Sequence, residues 1–279
     1  MDEYGSRDPR KLHQASYLLD RDFQNLYKRY KDEDPPPRAQ HAIPNTTVKW
    51  IADHFRTGTA REQTTADLIV LAYFFLLRVG EYTPTRNTKR EKRTIPLRKC
   101  DVVLLRHGIP MDKEAPLEQL LTATGCTICL ENQKNGKKDE TIYHDASGAG
   151  SMCPVRAMAH LLHRLRGHPG DTELGTTFHG TRRSRVTDTN VRDMVRLGAR
   201  NDNLEAAGYD LTRIGTHSLR AGGAVRLAVA GYADTTIKKL GRWSGETFLK
   251  YIQPHIAPIT AGCARRMAQP LRFFNVHVR

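Results

Sequence analysis

Hydrophobic residues run almost without interruption from Leu68 to Leu77, and they would cover every side of a helix. A helix with no polar face is predicted to lie buried at the centre of a domain. An amphipathic helical pattern over residues 48–55 precedes it and begins after a helix-start sequence at Pro44. The apolar run, at about ten residues, is half the length that a membrane span requires. The pattern therefore predicts a buried core helix in a soluble protein.

A two-residue alternation, typical of β-strands, replaces the helical period in the middle of the chain. It covers residues 101–105, 127–134 and 139–144. The last two segments are joined by Asn-Gly at 135–136, a dipeptide that favours tight hairpin turns because both residues tolerate positive φ. These segments predict a small antiparallel three-stranded sheet with Lys134 beside its hairpin turn.

The second half of the chain carries a series of helical patterns separated by short breaks. Their predicted bounds are 153–162, 191–200, 219–230, 235–240 and 247–252. Small residues at 221–224 would let the third of these helices approach a neighbour closely. Together with the sheet, these patterns predict a mainly helical α+β fold.

Breaks in the pattern divide the chain into three segments. Residues 1–39 combine one amphipathic helix with three consecutive prolines at 35–37, which break a helix and favour an extended linker. Residues 40–257 form the main domain. Residues 258–279 form a tail that is more apolar than a tail in free solution needs to be.

Basic residues outnumber acidic ones by a wide margin. The chain has 44 Lys and Arg against 30 Asp and Glu, which gives a formal charge of +14 and a pI near 9.7. This charge favours a polyanionic partner and predicts binding that weakens as salt rises. The five cysteines are odd in number and widely scattered, which suits a reducing, intracellular compartment.

The sequence predicts neither a cofactor nor a metal site. Cys126 and Cys129 have the spacing of metal ligands, but no second pair accompanies them and they fall on a strand pattern. The sequence contains no phosphate-binding Gly-Lys-Ser/Thr loop and no convincing acidic metal cluster. These features disfavour a helicase and a metal-dependent transposase.

Two arginines stand in positions that suit phosphate binding. Arg78 ends the buried helix, where a guanidinium is costly unless an anion or carboxylate meets it, and Glu81 follows one turn later. Arg220 lies one helical turn after His217. A tyrosine hydroxyl, Tyr251, follows on a short amphipathic helix. Guanidinium groups present a planar fork to phosphate oxygens. Arg78 and Arg220 are 142 residues apart, so only the fold can bring them together around one phosphate.

This arrangement resembles the tyrosine recombinase (phage integrase) family over most of the chain. That family has a His-x-x-Arg motif, a Leu-Gly-(His/Trp) element and a nucleophilic tyrosine about ten residues after the glycine. Tyr251 lies ten residues after Gly241. Arg78 and Glu81 match the Arg-x-x-Glu context of the family's first catalytic arginine. The Gly-Arg-Trp and Tyr-Ile forms are most similar to eukaryotic mobile-element recombinases of the Crypton and DIRS type.

The resemblance implies a fold and an activity. The fold would be a mainly helical catalytic domain over 40–257, with 1–39 as a remnant of the DNA-clamping domain and 258–279 as a tail that docks on a neighbouring protomer. The activity would be site-specific cutting and rejoining of DNA through a 3′-phosphotyrosyl intermediate, without metal or ATP. Tyr251 would attack the phosphorus, while His217 would accept its proton or donate to the phosphate.

The catalytic lysine of the family lies on the predicted hairpin. Lys134 is the best match by position and would protonate the departing 5′-oxygen. Lys137 and Lys138, just past the turn, remain alternatives.

The family's His/Trp position has two candidates. Counting nine residues back from Tyr251 leads to Arg242, whereas counting 23 forward from Arg220 leads to Trp243. Trp243 is favoured because an indole N–H can donate to a phosphate oxygen while its ring packs against the tyrosine helix. Arg242 remains the alternative.

The implied partner is double-stranded DNA, bound by a tetramer on two duplexes that could be monomeric when free. The implied location is the nucleus for a eukaryotic mobile element and otherwise the cytoplasm.

A type IB topoisomerase uses a similar residue set and would relax supercoils instead. A domesticated, catalytically silent DNA-binding protein is the non-enzymatic alternative. An RNA-binding protein is disfavoured because the sequence lacks an aromatic platform motif.

Overall fold

The structure, a computed structural model, describes residues 40–84, 94–131 and 139–268. The predicted N-terminal segment 1–39 lies outside the described residues, as does the end of the tail beyond 268. The hairpin turn and the three candidate lysines, Lys134, Lys137 and Lys138, also lie outside them.

The described residues are mainly helical. Their ten α-helices are α1 (Asn45–His54), α2 (Ala60–Phe74), α3 (Leu117–Leu120), α4 (Pro154–Arg164), α5 (Asp188–Asn201), α6 (Thr216–Val229), α7 (Asp234–Gly241), α8 (Leu249–Ile252), α9 (Ile256–Thr260) and α10 (Cys263–Met267). Their six strands are β1 (Val102–Arg106), β2 (Ile109–Pro110), β3 (Gly125–Leu130), β4 (Glu140–Asp145), β5 (Thr176–His179) and β6 (Arg182–Arg185).

Helix α2 is the centre of the core, as its apolar pattern predicts. Residues 68–72 are buried, and the helix packs against α1, α4, α5 and α6. It begins earlier than the apolar pattern suggests, because Thr59 and Glu62 form a capping box. The Thr59 hydroxyl accepts from the Glu62 amide at 3.3 Å, and the Glu62 carboxylate accepts from the Thr59 amide at 2.8 Å. None of the described helices has both the length and the apolarity of a membrane span.

The main sheet is antiparallel, as predicted, but the prediction of three strands is wrong. Among the described residues it has four strands in the order β2-β1-β3-β4. The added strand exists because His107 and Gly108 both adopt positive φ (51° and 81°), which makes a tight two-residue hairpin between Arg106 and Ile109. A second, separate hairpin pairs β5 with β6.

Helix α6 makes two close approaches through adjacent glycines, with Gly223 against α2 and Gly222 against Ile43, which precedes α1. A Cβ added at Gly223 would lie 2.3 Å from the Tyr73 carbonyl oxygen of α2, and one at Gly222 would lie 2.1 Å from the Ile43 carbonyl oxygen. A larger residue at 223 would push α6 away from α2, and one at 222 would push it away from Ile43. The close crossing brings the middle of α6, which carries Arg220, against the C-terminal end of α2.

Candidate active site

The site is organised around the C-terminal end of α2. Leu76 adopts a left-handed backbone conformation (φ 50°), which costs about 1 kcal/mol for a residue with a side chain. The Leu77 amide donates back to the Ala72 carbonyl at 3.0 Å, so the chain turns away from the helix axis. This turn leaves the last carbonyl groups of the helix without intrahelical donors.

Buried cationic and imidazole side chains supply the missing donors. Arg242 donates through Nη1 to the Phe75 carbonyl at 3.1 Å and through Nη2 to the Leu76 carbonyl at 3.2 Å. Arg220 donates through Nη1 to the same Leu76 carbonyl, and His144 Nε2 donates to the Phe74 carbonyl at 2.9 Å. The negative end of a helix dipole stabilises positive charge. The helix terminus therefore supports two arginines whose side chains are almost completely buried.

Glu81 joins a third arginine to this group. Its carboxylate accepts from Arg78 Nη1 at 3.0 Å and from Arg242 Nη2 at 2.7 Å, and it also accepts from the Arg78 amide at 2.8 Å. The Glu81 and Arg242 side chains are 0% exposed, whereas that of Arg78 is 22% exposed. We refer to Arg78, Glu81, Arg220 and Arg242 as the arginine cluster. Within this cluster Arg78 is the arginine that faces solvent.

Trp243 and Tyr251 lie beside the arginine cluster. The Arg220 guanidinium carbon sits 4.2 Å from the centroid of the Trp243 ring, in cation–π geometry. The Trp243 and Tyr251 ring centroids are 6.4 Å apart. Arg220 Nη2 also donates to the Gly241 carbonyl. These contacts bring the tyrosine, the tryptophan and a buried arginine to one place.

Glycine at 241 is required for this packing. A Cβ added there would lie 1.7 Å from the Trp243 ring, a distance that no side chain can occupy. The indole can fold back against the end of α7 because residue 241 has no side chain. This close approach explains why the tryptophan follows a glycine at this spacing.

A small apolar cluster anchors the tyrosine helix α8. Phe248 and Ile252 are buried against Ala224 of α6 and Ile237 of α7, and the partly buried Trp243 packs against them. Phe248 lies one turn before Tyr251, so burial of the phenylalanine fixes the helix while the tyrosine ring remains only partly buried. The predicted amphipathic character of this short helix is present.

The two candidates for the His/Trp position have different environments. Arg242 takes the left-handed conformation (φ 58°) that ends α7, and its guanidinium points into the protein. With its side chain fully buried, it does not face a ligand outside. Trp243 is only partly buried and contacts both Arg220 and Tyr251. The geometry therefore separates an inward arginine from an outward tryptophan.

His217 lies on the first turn of α6, one turn before Arg220, and is exposed. Its amide donates to the Gln40 side-chain oxygen at 3.0 Å, which ties the start of α6 to the beginning of the domain. The helical spacing of His217 and Arg220 is as predicted. Lys134 is outside the described residues, so its place relative to the site stays a prediction.

Burial and mutual repulsion act on the cluster's charges. Burial lowers the pKa of Arg220 to about 9, with Arg78 and Arg242 contributing, while Glu81 and Tyr251 oppose the shift. Burial also lowers the pKa of Arg242, and Glu81 opposes it. Guanidinium groups keep their protons in proteins at neutral pH, so each arginine counts as one positive charge. Three positive charges and one negative charge leave the cluster with a formal charge of +2, which is suited to a bound anion.

Sequence reasoning missed part of this arrangement. It did not find the left-handed Leu76, the donation from His144, or the burial of Arg242 against Glu81. The backbone at Leu76 leaves no pattern in the sequence. For Arg242, the left-handed residue that ends a helix is usually a glycine, so an arginine in that position leaves no signal in the sequence. Here Gly241 is the last helical residue and Arg242 takes that conformation.

Cys126 and Cys129 do not form a pair of metal ligands on β3. Cys126 is buried, and residues three apart on a strand point to opposite faces. Within the described ranges, no group of three or more His, Cys, Asp or Glu side chains could hold a metal ion.

Comparisons with known proteins give structural neighbours at low sequence identity. No protein-family model and no curated protein matches the chain. The crystal structure of XerA recombinase is similar over 89% of this chain and 74% of that one, with 16% identity and a TM-score of 0.48. The Tn1549 transposon integrase in complex with circular intermediate DNA is similar over 88% and 75%, with 15% identity and a TM-score of 0.45. A complex of that integrase with transposon right end DNA is similar over 85% and 70%, with 14% identity and a TM-score of 0.44.

Proposed function

We propose that this protein is a DNA strand transferase of the tyrosine recombinase type, which cuts and rejoins DNA through a covalent tyrosine intermediate. The observation that carries the proposal is the convergence of Arg78, Arg220, Trp243 and Tyr251 at the end of α2. Arg78 and Arg220 come from positions far apart in the sequence, and Glu81, Arg242 and the Leu76 carbonyl connect them. The chain's charge of +14 suits a polyanionic substrate.

The proposed reaction is a transesterification at one phosphodiester. The Tyr251 hydroxyl oxygen attacks the phosphorus, a phosphotyrosyl bond forms to the 3′ side, and the bond to the 5′-oxygen breaks. His217 receives the phenolic proton, and Lys134 gives a proton to the departing 5′-oxygen. The new ester retains the energy of the original diester, so attack by a 5′-hydroxyl rejoins DNA without an external energy source.

The arginines stabilise the transition state. As the tyrosine attacks, the phosphoryl group becomes a five-coordinate species that carries additional negative charge. Guanidinium groups that are already oriented need no reorganisation, and loss of one such donor typically costs about 10²–10³ in rate. In this proposal Arg78, the arginine that faces solvent, binds a non-bridging oxygen, and the Trp243 N–H supplies a further donor. Arg220 is 2% exposed and donates to the Leu76 and Gly241 carbonyls, so it contributes its positive charge from behind the Trp243 ring.

The biological setting extends the proposal. A mobile-element recombinase of the Crypton or DIRS type would act as a tetramer on two duplexes, in the nucleus of its host. Residues 40–257 would be its catalytic domain, 1–39 a remnant of a clamping domain, and 258–279 the segment that docks on a neighbouring protomer. The support is the Gly-Arg-Trp and Tyr-Ile forms at 241–243 and 251–252.

Covalent trapping tests the activity. A nicked duplex loses the short fragment that carries the 5′-hydroxyl after cleavage, so the enzyme stays attached through SDS. The wild-type protein is expected to form this adduct, and Tyr251→Phe, which keeps the ring but lacks the nucleophile, is expected to form none. An equal adduct yield from both proteins would contradict the proposal. Absence of an adduct from wild type across many DNA sequences would favour the catalytically silent alternative.

Paired assays separate recombination from topoisomerase activity. One assay measures relaxation of a supercoiled plasmid with no second site, and the other measures exchange between two sites. A recombinase is expected to exchange strands between sites. Rapid relaxation without exchange would assign the same chemistry to a type IB topoisomerase.

A further inference from the structure

Arg242 lies between the two arginines proposed to stabilise the phosphate and shares an acceptor with each. It shares the Glu81 carboxylate with Arg78 and the Leu76 carbonyl with Arg220. Its own guanidinium is 0% exposed, so it contacts no substrate in this arrangement. It can still act on the substrate through the groups that it shares.

The contact of Arg242 with Glu81 matters because Glu81 also holds Arg78. Glu81 orients Arg78 through two hydrogen bonds, one to the guanidinium and one to the amide. A buried carboxylate that orients an arginine also cancels its positive charge. With Glu81 and Arg78 alone, the pair would be neutral and Arg220 would supply a single positive charge. With Arg242 added, the arginine cluster carries +2.

We propose that Arg242 is a positioning residue that neutralises Glu81, so that Arg78 is held in place by the carboxylate yet keeps its full charge for the scissile phosphate. This inference rests on the proposed function. A phosphodiester carries one negative charge and its five-coordinate transition state approaches two. A cluster charge of +2 therefore matches the transition state better than the ground state, which is the condition for catalysis.

The location supports an electrostatic effect that reaches the substrate. The cluster is largely dry, because Glu81 and Arg242 are fully buried and Arg220 is 2% exposed. Charges in such surroundings interact more strongly than charges in water. The Arg242 charge already acts on Arg220 across this space, since it contributes to the lowered pKa of that residue.

Substrate charge provides the test. Single-turnover cleavage is measured on a nicked duplex that has either an ordinary phosphodiester or a methylphosphonate at the scissile position. The methylphosphonate replaces one charged oxygen by a methyl group, so its transition state requires one positive charge fewer. Arg242→Met, with a cluster charge of +1, is expected to lose about 100-fold on the phosphodiester and about tenfold or less on the methylphosphonate.

A charge-balanced double variant distinguishes loss of charge from loss of folding as the cause of a slow Arg242→Met. Glu81→Gln with Arg242→Met deletes both buried charges and restores +2 from Arg78 and Arg220. This double variant is expected to cleave the phosphodiester at least tenfold faster than Arg242→Met. Arg242→Lys, which keeps the charge but not the planar fork, is expected to cleave the phosphodiester faster than Arg242→Met. Far-UV circular dichroism and thermal unfolding check that each variant is folded.

A matched control is the ion pair between Asp67 and Arg164, which lies on α2 and α4. Arg164→Met should give the same ratio of rates on the two substrates as wild type.

Equal losses for Arg242→Met on both substrates, or no recovery in the double variant, would overturn the proposal. A double variant that cannot fold would also overturn it, because Arg242 would then serve folding. If wild type forms no adduct on the phosphodiester, the proposed function fails before this question arises.

Discussion

Two ion pairs involve α2 and the turn that follows it. They differ in burial and in the net charge of the group to which each belongs. Asp67, on α2 itself, pairs with Arg164 at the end of α4, and their side chains are 20% and 19% exposed. Glu81, one turn beyond Arg78, pairs with Arg242 at 2.7 Å, and both side chains are fully buried. The first pair consists of one carboxylate and one arginine. The second belongs to the arginine cluster, which holds three arginines to one carboxylate.

The difference indicates what each pair does. A pair of one carboxylate and one arginine on two helices ties those helices together and is itself neutral. The arginine cluster places surplus positive charge at the end of a helix, beside Trp243, whose ring centroid is 6.4 Å from that of Tyr251. A protein that needed only stability gains little from buried surplus charge, because replacing buried ion pairs by apolar residues is often neutral or stabilising. The surplus therefore points to an anionic ligand at this end of α2.

The largest expected effect is on stability, and it separates the two pairs. Glu81→Ala leaves the buried Arg242 guanidinium without its carboxylate, so the free energy of unfolding should fall by about 3–5 kcal/mol. Asp67→Ala should cost less, because water can reach the remaining arginine. Urea unfolding of both variants measures the contrast. A larger loss for Asp67→Ala would reverse the ranking of the two pairs.

The next effect is on catalysis. Arg78→Ala should lower the rate of single-turnover cleavage by about 10²–10³ while leaving most of the DNA affinity, because the other Lys and Arg side chains of this basic chain remain to neutralise phosphates. Arg164→Ala serves as the control and should cleave at the wild-type rate. Cleavage assays and filter binding at one salt concentration check both statements. Near wild-type cleavage by Arg78→Ala would remove it from the site.

The pH dependence of stability sharpens the comparison. Burial raises the pKa of Asp67 from 3.8 to about 6, although Arg164 opposes the shift. Between these pH values the folded state holds a proton on Asp67 that the unfolded state has released. The stabilisation of the fold by this proton is therefore complete below about pH 4 and is lost as the pH rises through about 6. The loss is on the order of 3 kcal/mol. Unfolding free energies of wild type and Asp67→Asn, measured from pH 4 to 7, should therefore differ in slope, and parallel curves would contradict this.

The smallest expected effect concerns the indole. Trp243→Phe keeps an aromatic ring against Arg220 and Tyr251 but lacks the N–H donor. Cleavage should slow by about tenfold, less than for loss of either arginine, because one neutral donor is removed. Trp243→Leu should lose more, since the cation–π contact with Arg220 also disappears. Equal rates for Trp243→Phe and wild type would assign the tryptophan to packing alone.

Local features of the site could be predicted from the sequence. The burial of α2 follows from its apolar pattern, and the ion pair of Arg78 with Glu81 follows from their spacing of one turn. The same reasoning places His217 and Arg220 on one helix. Each of these depends on residues that are neighbours along a single helix or turn.

Features that depend on contacts between distant segments could not be predicted. Arg242 meets Glu81 across 161 residues, and nothing in either local pattern specifies that partner. The left-handed Leu76 is imposed by the packing that surrounds it, because leucine has no preference for that conformation. The strand β2 was missed for a different reason, since it has only two residues and depends on the turn at His107.

The most direct test of the central claim identifies the residue that becomes linked to DNA. Wild-type protein is trapped on the nicked duplex, the DNA is digested to a short remnant, and the protein is cleaved with trypsin. The nucleotide is expected on the peptide spanning residues 251–265, in which Tyr251 is the only tyrosine. Attachment to a peptide that contains another tyrosine, or to a serine, would contradict the account.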